Sequence, residues 1–194
     1  TDDMISWFDL DAIGRSPSRF DMTKLENLNG HYMRDASVEA LMGDLAAYLP
    51  HAENGAPVIE WLASPGNEAK FRAALPGLKE RAKTLVELVD SAGYLWASRP
   101  LSLDAKADKQ LDEAARAMLG EIAERFDALQ EFTAETTEAC VRAFAEEKDL
   151  KLGKVAQPLR AALTGRTTSP PVFDVLDVLG RTESLARIRD QAGA

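Results

Sequence analysis

The residue types that most often carry catalysis are sparse in this chain of 194 residues. His31 and His51 stand far apart and have no ligand partners at metal-binding spacing. The single cysteine, Cys140, falls on an apolar helical stripe, which favours a small core residue over a nucleophile. Neither common spacing of a phosphate-binding glycine loop occurs. On chemistry alone, the sequence predicts a binding or scaffold module without a catalytic or metal site.

The charge distribution limits where a polyanion could bind. The formal net charge is −9, yet residues 151–194 hold seven basic side chains against four acidic ones. A second basic island covers residues 70–83, where five basic side chains face only Glu80. We therefore expect nucleic-acid contact only at these two islands. Ordinary solvated helix faces are the alternative interpretation of the same charges.

Apolar residues recur every three or four positions along most of the chain, which is the period of amphipathic helices. One stripe covers residues 111–129 and follows a helix start at Asp104, and a second covers residues 78–92 and ends at Gly93. A third covers residues 38–49. We find no alternating strand pattern of useful length. The predicted fold class is all-α, with helical bundles in series.

Capping residues mark the helix ends most clearly in the second half of the chain. Thr133 is predicted to cap one helix. Ser169 is predicted to be the N-cap of another helix, with Pro170 at its first position. Gly180 closes that helix, and Thr182 opens the last one.

Residues 97–103 are predicted to be a linker. Segments rich in proline, glycine and asparagine at 50–57 and 64–67 are predicted to be loops.

No apolar run approaches the roughly 20 residues that cross a bilayer, and the first residues lack the features of a signal peptide. A single cysteine excludes internal disulfides. We therefore expect a cytoplasmic, monomeric protein without membrane contact.

Two stretches are more specific than composition. SPSRFDMTKLENLNGHYMR at 16–34 and GKVAQPLRAALTGRTTSPPVFDVLDVLG at 153–180 resemble the bacterial glutamyl-tRNA synthetase family. The first is similar to the stem-contact segment that follows the catalytic fold, and the second to the most C-terminal anticodon-binding subdomain. LKERAKTLVELVDSAGYLW at 78–96 is similar to the first helical anticodon-binding subdomain. The resemblance covers nearly the whole chain in the same order. It implies three units: a stem-contact segment at 1–50, a first helical anticodon-binding subdomain at 51–103 and a second one at 104–194.

The resemblance implies an enzyme that attaches glutamate to tRNA using ATP. The HIGH-type and KMSKS-type signatures of the family's catalytic domain are missing, so the chain looks like a C-terminal fragment that is inactive alone. We expect no cofactor in this fragment, with ATP and magnesium bound by the missing catalytic domain. The implied partner is tRNA(Glu), and also tRNA(Gln) if the parent enzyme is non-discriminating.

The resemblance also assigns site residues near the C-terminus. Arg160 and the Ser169-Pro170-Pro171-Val172 turn match positions that line the family's anticodon pocket. Pro171 stands where many members have glycine, and it offers no backbone N–H. For Ser169 and Pro170, plain helix capping is the alternative.

Lys154 and Arg166 are predicted to contact tRNA phosphates, with ordinary surface charge as the alternative.

Arg81 matches the arginine that reads the third anticodon base in members selective for tRNA(Glu). An ordinary surface charge on a basic helix face is the alternative.

In the stem-contact segment, Arg19 and Lys24 are implied to touch the tRNA inner corner, together with Asn29 and Tyr32. Phe20, Leu25, Leu28 and Tyr32 have helical core spacing behind an N-cap at Asp21. We assign this segment mainly to packing against the catalytic domain.

A helical protein-interaction module, whose basic islands bind an acidic protein surface, is the alternative function.

Overall fold

The computed structural model describes residues 2–9, 11 and 19–193. Regular structure in these residues is helical, and they contain no strand, which confirms the all-α prediction. The helices are α1 (Asp2–Trp7), α2 (Met22–Asp35), α3 (Val38–Tyr48), α4 (Gly55–Leu62), α5 (Asn67–Lys79), α6 (Leu85–Ala92), α7 (Ala105–Asp108), α8 (Glu113–Asp127), α9 (Ala134–Glu147), α10 (Leu152–Thr164) and α11 (Val172–Ala192).

Side chains that accept backbone N–H groups start several helices. Asp21 accepts the N–H of Lys24 at 3.1 Å and starts α2, as predicted. Thr133 starts α9, also as predicted, and forms a reciprocal capping box with Thr136. These contacts satisfy N–H groups that have no partner inside the helix. Local sequence therefore fixes these helix starts.

Two helices predicted to be continuous are each divided in the structure. The stripe at 78–92 is split between α5 and α6, because Thr84 caps a new helix by accepting the N–H of Glu87. The side chain of Glu87 in turn accepts the N–H of Lys83 at 2.7 Å. Thr84 and Glu87 together start a new helix, although the apolar residues continue to recur every three or four positions through this segment.

The helix predicted to begin after Asp104 is likewise divided. Asp104 does cap a helix, but α7 ends after a single turn, and Asp112 then caps α8 by accepting the N–H of Ala115 at 2.8 Å. The loop predicted at 50–57 is shorter than expected, because α4 begins at Gly55. Pro57 fits the first turn of α4, where a missing N–H breaks no intrahelical bond.

Gly180 interrupts α11 with a φ of +76° and a ψ of 168°. This backbone conformation is open to glycine and strained for other residues. The predicted helix end at Gly180 is therefore confirmed as a break, after which helical structure resumes.

The buried apolar side chains form one hydrophobic core, whose members range along the chain from Met33 to Ile188. α11 packs against α8, α9, α10 and α5. The buried Arg187 links distant segments of this core, since its Nη1 donates to the carbonyls of Tyr94 and Leu163, each at 2.8 Å.

The division into units at 1–50, 51–103 and 104–194 stays a prediction. Among the described residues, no helix is long and apolar enough to span a membrane, and no acidic, histidine and cysteine side chains cluster as metal ligands would.

Candidate nucleic-acid interface

Arg81 lies in the turn between α5 and α6, and not on a helix face as predicted. Its backbone N–H donates to the carbonyl of Leu78 at 3.4 Å, which continues the end of α5. Its side chain is exposed and makes no hydrogen bond or ion pair within the part of the chain that the structure describes. The guanidinium is therefore available to an outside partner.

Arg160 lies on α10 and is half-buried. Its Nε donates a hydrogen bond of 3.0 Å to the hydroxyl of Ser169. That hydroxyl is buried and itself donates to the carbonyl of Pro170 at 2.7 Å. Ser169 thus holds the plane of the Arg160 guanidinium against the turn that precedes α11.

The structure brings Arg81 and Arg160 together although they are far apart in sequence. Burial lowers the pKa of Arg160 from its ordinary value, and the positive charge of Arg81 lowers this pKa further. No described carboxylate forms an ion pair with either arginine. Two cations that disfavour each other's charge, with no ion-paired carboxylate among the described residues, would be stabilised by an anion at this point.

Gly77 packs closely against Pro170 and Pro171 in the turn before α11. A Cβ at Gly77, near the end of α5, would lie 3.2 Å from Cβ of Pro170 and 3.7 Å from Cδ of Pro171. A side chain at position 77 would therefore require Pro170 to move by a few tenths of an ångström. The turn that carries Arg81 is consequently held beside the turn that orients Arg160. We call Arg81, Arg160, Ser169, Pro170 and Pro171 the arginine site.

The prediction that Ser169 caps α11, with Pro170 at its first position, is wrong. α11 begins at Val172, with Pro171 as its N-cap residue. A residue that precedes proline is disfavoured in helical conformation, so Pro171 prevents Pro170 from entering the helix.

Val172 was predicted to contact a base, but its side chain is only 4% exposed and belongs to the core. Pro171 is exposed and presents the apolar surface of this turn.

The remaining cations assigned near the C-terminus lie in other surroundings. Arg166 forms a bidentate ion pair with Asp90, with Nη to Oδ distances of 2.5 and 2.9 Å. This contact lowers the pKa of Asp90 and raises that of Arg166. Lys154 is exposed and lines a groove shared with α8. Neither side chain hydrogen-bonds to a residue of the arginine site.

Most of the C-terminal basic island has a structural role that the sequence did not reveal. Arg181 donates to the carbonyls of residues 127, 129 and 130 and so caps the end of α8. Arg189 pairs with Asp127 at 3.0 Å. Arg187 is 2% exposed and also donates to Glu183 at 2.6 Å. Charge counting could not separate these residues from Arg160, since their partners lie on other segments.

The stem-contact segment presents a different surface. Arg19 and Lys24 are exposed at the start of α2. Asn29, predicted to touch tRNA, donates to the carbonyl of Lys83 at 2.5 Å and links α2 to the turn that carries Arg81. The side chains predicted to form a core stripe are exposed in this chain: Phe20, Leu25, Leu28 and Tyr32. Residues 12–18, which include the start of the SPSRFD motif, lie outside the described residues.

Comparison with known proteins gives consistent matches over the whole chain. A family model described as "Anticodon binding domain" matches residues 33–192. Glutamate–tRNA ligase 2 from Chelativorans sp. (strain BNC1) is 58% identical over 192 residues, which cover 99% of this chain and 40% of that protein. Glutamate–tRNA ligase 1 from Beijerinckia indica subsp. indica is 54% identical over 193 residues, which cover 100% of this chain and 41% of that protein.

A solved structure agrees. A crystal structure of a glutamate tRNA ligase from Elizabethkingia meningosepticum covers 100% of this chain and 36% of its own, with 27% identity and a TM-score of 0.77. This chain spans about 40% of the length of the curated relatives that it matches.

Proposed function

Since this chain belongs to the anticodon-binding domain family, we propose that it is the tRNA-recognising part of a glutamate–tRNA ligase. Its anticodon-loop partner would be tRNA(Glu). The matches to glutamate–tRNA ligases over 99–100% of this chain support the proposal. Glutamate, ATP and magnesium would be bound by the part of those longer proteins that this chain does not cover.

The observation that carries this proposal is the arginine site. Arg81 and Arg160 stand close enough for one charge to lower the pKa of the other, and no described carboxylate pairs with them. The chain has a net charge of −9, so the missing counter-ion is a local feature and does not reflect a general excess of cations. An RNA loop supplies phosphates and base-edge acceptors, both of which arginine binds well.

Each residue of the arginine site has a distinct task in this proposal. Arg160 offers a planar donor that Ser169 has already oriented, and Pro171 offers apolar surface to an unstacked base. Arg81, which has no partner among the described residues, reads the third anticodon base. This base is cytosine for glutamate and guanine for glutamine. On the Watson–Crick edge, arginine can donate to two acceptors of cytosine, whereas guanine offers one acceptor beside two N–H donors that arginine cannot accept.

The exposed apolar face of α2 fits the same proposal. Four side chains at helical core spacing, between 46% and 73% exposed, form a stripe that a soluble helix would normally bury: Phe20, Leu25, Leu28 and Tyr32. We assign this face to packing against the part of the longer protein that this chain does not cover. Arg19 and Lys24, at the start of α2, would contact the tRNA backbone beside it.

The test is binding of the 194-residue chain to tRNA(Glu) transcripts at several salt concentrations. We expect salt-dependent binding that is lost when the anticodon nucleotides are replaced and that is weakened by Arg81→Ala or Arg160→Ala. Arg142→Ala is the matched control, because Arg142 lies on α9 and pairs with Glu138. Equal binding to a tRNA with a replaced anticodon would overturn the proposal.

A further inference from the structure

A second surface lies apart from the arginine site, in a groove between α8 and the first turns of α10. The groove encloses about 930 Å³. Its floor is largely apolar and includes Ala117, Met118, Leu150 and Pro158. Leu150 is 41% exposed. The floor therefore offers apolar contact area that the chain itself leaves uncovered.

Lysines surround this floor. Lys109, Lys151 and Lys154 are exposed and make no side-chain hydrogen bond or ion pair with the described residues. The two acidic residues of the groove are already engaged. Glu121 pairs with Lys148 at 2.6 Å, and Asp112 caps α8. The free charges on the rim are consequently all positive.

A polar group in the groove also lacks a partner. Oε1 of Gln157 is buried and accepts no hydrogen bond from any described residue. Gln157 lines both this groove and the adjoining hollow that Lys106 and Lys109 border. A buried side-chain oxygen without a donor is uncommon in native proteins, and a ligand could reach this one only if the Gln157 side chain turned toward the groove.

The groove and the arginine site lie on different faces of α10. Lys154 and Arg160 are six residues apart, which at about 100° per residue places them about 120° apart around the helix axis. Arg160 contacts Ser169, whereas Lys154 and Pro158 line the groove with residues of α8. One ligand seated in the groove would therefore leave the arginine site open.

We propose that this groove docks an acidic amphipathic peptide segment of a partner protein. The apolar side chains of the segment would cover Met118 and Leu150, and its carboxylates would pair with the three free lysines. A peptide fits this groove better than RNA does. The one aromatic ring among the groove residues, Phe144, is already covered by Arg125 and Lys148, whose charged groups lie 4.9 and 5.5 Å from the ring centre. No open aromatic face is left among the groove residues for a base to stack on.

The test selects ligands without assuming a sequence. A phage-displayed library of random 12-residue peptides is panned against the folded 194-residue chain, and the selected peptides are measured by fluorescence polarisation. We expect selected peptides that combine Asp or Glu with Leu, Ile or Met. The double variant Lys151→Glu/Lys154→Glu should weaken them at least tenfold, and Leu150→Asp should do so independently.

Controls separate the groove from general electrostatics. Arg34→Glu reverses an exposed charge in the last turn of α2 and should leave peptide affinity unchanged. Saturating tRNA(Glu) should not displace the peptides. Selected peptides without acidic residues, or equal binding to the double variant, would overturn the proposal. Displacement by tRNA, together with weaker tRNA binding by the double variant, would show instead that the groove is an RNA surface.

Discussion

Replacing Arg160 and Arg166 separately by alanine tests whether a free arginine and a paired arginine have different tasks. Both lie in or just after α10 and carry the same charge. Arg160 is half-buried, donates to Ser169 and has no described acidic partner, whereas Arg166 is held by Asp90 in a bidentate pair. We expect only the Arg160→Ala variant to lose substantial tRNA affinity.

The magnitude follows from these surroundings. A charge-assisted contact is worth about 1.5–3 kcal/mol, so Arg160→Ala should weaken tRNA binding about ten- to a hundredfold. Its fold stability should change by less than about 1 kcal/mol, since the lost hydrogen bond to Ser169 is offset by relief from the repulsion of Arg81. Arg166→Ala removes an exposed ion pair, which costs about 0.2–1 kcal/mol of stability. Its tRNA affinity should stay within about twofold of wild type, because Asp90 already occupies the guanidinium.

The assay measures tRNA(Glu) affinity by filter binding at one fixed salt concentration, together with urea unfolding of each variant. Dividing the binding signal by the folded fraction separates affinity from stability. The reasoning is refuted if both variants lose affinity equally, because ion pairing would then not decide which arginine meets RNA. It is refuted equally if Arg160→Ala unfolds the chain while affinity per folded molecule stays constant.

Three further substitutions test other parts of the argument. Arg81→Gln keeps a donor and adds an acceptor, so it should narrow the preference for tRNA(Glu) over tRNA(Gln), measured by competitive binding; an equal loss for both tRNAs would show that Arg81 contacts only the backbone. Arg187→Leu should lower the free energy of unfolding by about 3 kcal/mol or more in urea titration, since it strands two buried carbonyls and Glu183; a loss below about 1 kcal/mol would contradict this. Because Arg166 holds the pKa of Asp90 below 3.8, the stability that Asp90 adds is complete above pH 3.8 and is lost as the pH falls through the lower folded-state pKa. The stability difference between wild type and Asp90→Asn should therefore shrink below about pH 4, and a difference that grows there would refute it.

Sequence reasoning succeeded where a residue acts on its near neighbours. Asp21 and Thr133 cap helices three residues ahead, and Gly180 breaks a helix through its own backbone conformation. It was incomplete where two local signals compete. The apolar period at 78–92 predicts one helix, but Thr84 and Glu87 start a new one within it. The period shows which side chains are buried, but it does not show where the backbone turns.

The candidate site was predictable only through family resemblance, and then only in part. Nothing near Arg166 shows that Asp90, 76 positions away, neutralises it, and nothing near Arg187 shows that it is buried against Tyr94. These arginines and Arg160 are the same residue type in the same basic island. Their roles differ because tertiary packing brings acceptors to some of them and leaves others without one.

The arginine site differs from other parts of the described chain because no described carboxylate pairs with its two arginines. Elsewhere in the described chain, the buried Arg187 and the half-buried Arg181 have carbonyl acceptors. At Arg160, burial and the charge of Arg81 both disfavour the cation, and the carboxylate of Asp174, 3.7 Å from the position of a Cβ at Gly77, forms no ion pair with it. A carboxylate paired with Arg160 would also repel RNA phosphates. We therefore expect the arrangement at this turn to become more favourable when an anion binds.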